Sequence, residues 1–137
     1  MIRLLAALLA LSVTVSVPAK AADEDITVAQ FLELWSAIDG AAVQKELDAT
    51  GTIDQAKHPE FARAITLTRA TGFAYRARIK AERAAGQTPH SCLPDSEVNL
   101  ESDVIIPHMR SYLPEQRTTI TLATAFADLM AKTYPCP

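Results

Sequence analysis

The stretch HPEFARAITLTRATGFAYRARIKAERAAG, residues 58–86, decides the fold. Pro59 suits a first helical turn, where its missing N–H has no intrahelical partner to lose, and Gly86 suits the position just past the end. Between them Phe61, Ile65, Thr68, Gly72, Tyr75 and Ile79 recur at helical spacing and are expected to form the buried face. At ~1.5 Å per residue this helix would run about 40 Å, longer than a domain with a radius of gyration near ~13 Å is wide. Gly72 costs only about 1 kcal/mol in a helix interior, so an unbroken helix with an overhanging end is expected rather than two shorter ones.

Upstream, DITVAQFLELWSAIDG (25–40) carries two helix-start signals, a Thr27/Gln30 capping box and an Ile26/Phe31 staple. Val28, Phe31, Trp35 and Ile38 form its apolar face, and Gly40 reads as its stop. AAVQKELDAT (41–50) predicts a shorter helix that offers Val43 and Leu47 to the core and ends at Gly51. Downstream, QTPHSCLPDSEVN (87–99) has no apolar period and reads as a surface loop. In ESDVIIPHMRSYL (101–113), Ser102 is the expected N-cap, and Pro107 conflicts with a regular helix by removing a donor and crowding the preceding turn. RTTITLATAFADLMAKTY (117–134) is expected to start at Thr118 or Thr119 and to bury Leu122, Phe126, Leu129 and Met130. No segment alternates as a strand does. The fold class predicted is all-α, a small bundle of about five helices with one disulfide, preceded by a signal peptide.

The opening MIRLLAALLALSVTVSVPAKAADED has a basic residue, an uncharged run from Leu4 to Val17, and Ala19-Lys20-Ala21 before an acidic start. That pattern is a secretory leader with cleavage expected between Ala21 and Ala22, leaving one domain over 22–137. The run falls short of the ~20 apolar residues that span a bilayer, so membrane insertion is not expected and a periplasmic or secreted location is. The chain has two cysteines, Cys92 and Cys136. In an exported chain they allow a single intramolecular pairing, which would fasten a terminus that otherwise frays.

Without the leader the chain carries eleven basic and sixteen acidic residues, a net charge of −5, which argues against a nucleic-acid partner. The charge is unevenly placed. Residues 57–83 hold seven bases against two acids, between two acidic stretches. Arg69, Arg76, Lys80 and Arg83 fall along one helical stripe, which would either hold an anionic partner or form a solvated face paired with acids elsewhere in the chain. Trp35 could be a stacking platform, but its place on an apolar face favours core packing. His58, His90 and His108 are too scattered for a metal site. Ser91 beside His90 lacks the elbow of a serine hydrolase, and a lone His-x-Cys lacks metal-ligand spacing. No catalytic residue, cofactor or metal is expected, and the protein is not expected to be an enzyme.

GFAYRA (72–77), CLP (92–94), SYLPEQR (111–117) and YPC (134–136) together resemble the Rap1a/Tai-type immunity domain of type VI secretion. The resemblance covers about half of the chain after the leader. It implies a small exported helical domain that binds and blocks a cell-wall-degrading effector in the periplasm. On that view a protein partner is engaged by residues such as His90, Asp95, Glu97, Arg76 and Arg83, and by loops around Thr52–His58, His90–Asn99 and Leu113–Thr118. A different expectation is a small acid-stress chaperone of the envelope that loosens as its carboxylates protonate, or a structural envelope protein.

Overall fold

The computed structural model describes residues 26–137; the leader and its cleavage point at Ala21 and Ala22 lie outside the described residues. Among the described residues six helices follow in order: α1 (Val28–Ser36), α2 (Gly40–Thr50), α3 (Pro59–Ala84), α4 (Ser102–Ser111), α5 (Pro114–Arg117) and α6 (Leu122–Thr133). Among the described residues the extended structure is an isolated antiparallel bridge between Thr27 and Thr121. The fold is an all-α bundle, closed by a Cys92–Cys136 disulfide with Cα atoms 4.9 Å apart.

The bridge sits where two caps meet. Thr27 accepts the Gln30 N–H and Gln30 Oε1 accepts the Thr27 N–H, so the anticipated capping box closes. Thr121 caps α6 by accepting from Thr124 N at 3.1 Å. Val28 N then donates to Ile120 O at 2.9 Å and Leu122 N to Ile26 O at 2.8 Å, so the two helix entrances satisfy each other's backbone groups. Phe31, Val28, Ile106, Met109, Leu122 and Met130 are among the side chains of the core that α1, α4 and α6 enclose with α3. Burying a side chain of this kind stabilises by about 2 kcal/mol each. Trp35 is half-buried and packs against that core.

α3 is unbroken and ends as its glycine requires. Gly86 has φ of 70°, Gly86 N donates to Arg83 O and Gln87 N to Glu82 O, closing the helix end on a left-handed residue. Its buried line, however, is Ala64, Leu67, Thr71, Tyr75 and Ile79. The expected line is shifted around the helix: Ile65, Thr68 and Gly72 lie on its flank, half-buried. Small residues at 64 and 71 let α3 approach the core closely, a signal that counting large apolar residues overlooks.

Other departures are local. Gly40 opens α2 rather than closing α1, because Asp39 accepts the Ala42 N–H and supplies a cap there. Leu47 is exposed, while Val43 reaches the core. α4 runs from Ser102 with Glu101 as its N-cap position and carries Pro107 inside. Pro107 is exposed, which leaves the carbonyl one turn back open to water. α6 starts at Leu122 with Thr121 as its N-cap, not at Thr118 or Thr119. The segment expected as a loop at Leu113–Thr118 holds the single turn α5, where Leu113 N donates to Gln116 Oε1.

Between α4 and α6, His108 Nε2 donates to Ala125 O at 3.0 Å. Burial holds its imidazole below the ordinary value, and hence neutral. Tyr112 donates to Asp128 Oδ2 at 2.7 Å, and burial raises the Tyr112 phenol further from ionisation.

Candidate functional site: a groove between α3 and the returning loop

Beyond Gly86 the chain turns back and runs alongside the helix it has left, and each contact is made by a different α3 side chain. Glu82 Oε2 accepts the His90 N–H at 2.8 Å, while its other oxygen accepts from Arg78 Nε at 2.7 Å. Tyr75 donates to Ser91 Oγ at 2.8 Å, and His90 Nδ1 lies 2.9 Å from the same phenol, to which its Nδ1–H tautomer donates. Arg83 Nη2 donates to Leu93 O at 2.8 Å, with Nη1 3.5 Å from Asp95 Oδ1. Arg76 Nη2 donates to Ser96 O at 3.3 Å. From the other side, the disulfide and a Cys92 N–H to Tyr134 O bond of 2.8 Å fasten the loop to the chain end.

Electrostatics follow from these contacts. The His90 backbone donor, and after it Arg78, hold the Glu82 carboxyl below the usual carboxylate range. Burial pushes the Tyr75 phenol up, outweighing the opposing effect of its hydrogen bond with Ser91, so it stays protonated and able to donate. Ser91 is wholly buried and its oxygen accepts the Tyr75 hydroxyl, which anchors the loop to α3.

Between α3 and residues 93–100 lies an open groove of about 680 Å³. Its floor is apolar, with Leu93, Phe126, Met130 and Ile65. The walls differ in charge: Arg69 and Arg76 stand on the helix, Asp95 and Glu97 on the loop. Gly72 lies between the two arginines, and a Cβ there would meet only Phe126 Cζ at 3.7 Å. Phe73 forms part of the lip and is 72% exposed.

The structure thus places Arg76, Arg83, His90, Asp95 and Glu97 at one end of the molecule, around this groove and its loop. It does not bring the three expected loops onto one surface. Thr52–His58 precedes α3 and lies at the opposite end of that helix, where Glu46 accepts from Lys57 Nζ at 3.1 Å and contacts His58 Nε2 at 2.7 Å. The basic stripe also divides. Arg83 and Arg76 tether the loop, whereas Arg69 and Lys80 have no hydrogen bond or ion pair with any described residue.

Sequence reasoning missed Phe73 and assigned Ile65, Thr68 and Gly72 to the core. The signal for Phe73 was present: it stands four residues after Arg69 and three before Arg76, on the basic stripe instead of the apolar face. Among the described residues no group of three or more His, Cys, Asp or Glu could hold a metal, and no helix is long and apolar enough to cross a membrane. Comparison with protein-family models, curated proteins and solved structures finds no significant match for the chain.

Proposed function

We propose that this chain is an exported, periplasmic helical binding protein that blocks a cell-wall-degrading effector by protein–protein contact. The observation that carries this reading is the groove with the exposed Phe73 on a basic stripe, held in shape by a disulfide-fastened loop. Arg and aromatic side chains set on a rigid support are the residues that dominate binding energy at protein interfaces, and a fastened loop loses little freedom on binding. A disulfide suits an oxidising compartment. Support also comes from the resemblance to the Rap1a/Tai-type immunity domain, whose quoted motifs fall on the joints of this fold. CLP and YPC meet at the disulfide, and in SYLPEQR Arg117 Nε donates to Tyr112 O at 2.8 Å.

The test uses the oxidised chain from residue 22 onward with any peptidoglycan hydrolase that the neighbouring genes encode. Stoichiometric inhibition of turbidity loss in purified sacculi, with affinity in the nanomolar range, is the expected outcome. Full hydrolase activity in excess of this protein, together with survival of a deletion strain among toxin-producing neighbours, would refute it.

One observation favours a second reading, an acid-stress chaperone. The Glu82 carboxylate holds both the loop and Arg78, so acid would release the segment it clamps. Suppression of client aggregation in acid, with loss of near-UV circular dichroism, would support that role; an unchanged spectrum would remove it.

A further inference from the structure

We infer that the groove between α3 and residues 93–100 takes an extended segment of the partner protein, whose apolar side chain enters the floor with a carboxylate on its α3 side and a cationic group on its loop side. This names the docking surface of the binding role proposed above and rests on that reading.

Three features select this occupant. The walls carry opposite charges, Arg69 and Arg76 on α3 and Asp95 and Glu97 on the loop, with Asp95 shared with Arg83 at 3.5 Å, so a segment bearing one charge of each sign is complementary in one orientation. Arg69 has no partner among the described residues, and Arg76 gives one nitrogen to a backbone carbonyl at 3.3 Å, which leaves guanidinium donors for a carboxylate. Phe73 stands at the lip with most of its ring in water, while Leu93 and Phe126 line the floor. An apolar side chain lying between ring and floor would be covered on two sides. The groove opens to solvent beside the exposed Phe73, and its acidic wall disfavours a simple anionic amphiphile.

The probe is the capped peptide acetyl-Asp-Leu-Phe-Leu-Lys-amide, titrated into the oxidised full-length mature chain and followed by amide shifts in NMR. The expected result is saturable shifts at Gly72, Phe73, Arg76, Asp95 and Val98. A peptide with Lys at both ends should bind about threefold more weakly, the size of one exposed charge pair. Phe73→Ala should weaken binding about tenfold, and Arg69→Glu about fivefold. Both positions are exposed, so these variants are expected to keep the wild-type circular dichroism.

Any of four results would overturn the assignment: shifts confined to another surface, equal binding of the two peptides, wild-type affinity in both variants, or tighter binding of decanoate at the same amides. Concentration-dependent shifts of these amides without peptide would make a second copy the occupant, and would overturn it as well. If the wild-type chain inhibits the hydrolase but Phe73→Ala inhibits equally, the groove assignment fails and the inhibitor reading stands. If the peptide docks as described but the hydrolase is unaffected, the reverse holds.

Discussion

Two connections flank α3, and they are held in opposite ways. Residues 51–58, before the helix, close on side-chain polar contacts, chiefly a half-buried Glu46 with the exposed Lys57 and the half-buried His58. Residues 85–101, after it, are held by a disulfide, a buried tyrosine–serine hydrogen bond and two arginine-to-carbonyl bonds. A long stretch without secondary structure is uncommon in a small domain and is usually functional. Here it is fastened at several points along one helix, and that fastening makes the middle of α3 one wall of the groove. The lesson is that the length of α3 and the cysteine at the chain end answer each other.

The comparison can be broken most severely at the disulfide. Reduction, or Cys92→Ser with Cys136→Ser, is expected to lower stability by about 4 kcal/mol on the chain-entropy account of the loop it closes, measured as a shift in urea midpoint with and without reductant. Next comes the buried hydroxyl pair: Tyr75→Phe leaves Ser91 Oγ without its donor inside the protein and should cost about 2 kcal/mol by denaturant titration. An unchanged midpoint would show that the loop is held by sulfur alone.

Acid sharpens the comparison further. The Glu82 and Glu46 carboxyls both sit below their ordinary value of 4.5 in the folded chain, Glu82 through the His90 N–H and Glu46 first through Lys57. A depressed folded value means that the unfolded chain takes up the proton first, so each group stabilises above 4.5 and that contribution disappears as pH falls through its folded value. A thermal melt series in this range should show a declining midpoint, with a shallower decline in Glu82→Gln. The smallest effect is expected before α3. Glu46→Gln weakens one contact to the exposed Lys57 and one to the half-buried His58, and should lower the neutral-pH midpoint less than Tyr75→Phe does in a thermal melt; a loss as large as that of Tyr75→Phe would erase the distinction between the two connections.

Much of this architecture was legible in the residues. The Thr27/Gln30 capping box, the Pro59 and Gly86 limits of α3, and the pairing of two cysteines are local rules or simple counts, and each holds in the structure. What escaped depends on neighbours in space. The burial of Ala64 and Thr71 in place of Ile65 and Thr68 follows from how closely α3 approaches the core, which its own periodicity cannot report. α5 is a single turn, too short to leave a period. The groove was half visible: Arg69 and Arg76 stood on the basic stripe, and Arg76, Asp95 and Glu97 were named as partner-binding candidates. Their meeting required knowing that the loop doubles back along α3. Phe73 stood in view on the basic stripe, but a lone aromatic there looks like ordinary surface until an apolar floor is found beside it.

Site-resolved hydrogen exchange on oxidised and reduced protein tests most directly whether the fastened loop is a unit separate from the bundle. The expected result is that reduction removes protection at the Cys92 and His90 amides, donors to Tyr134 O and Glu82, while Val28 and Leu122, which bridge α1 and α6, stay protected. Equal loss at all four amides, or no loss at Cys92, would contradict it.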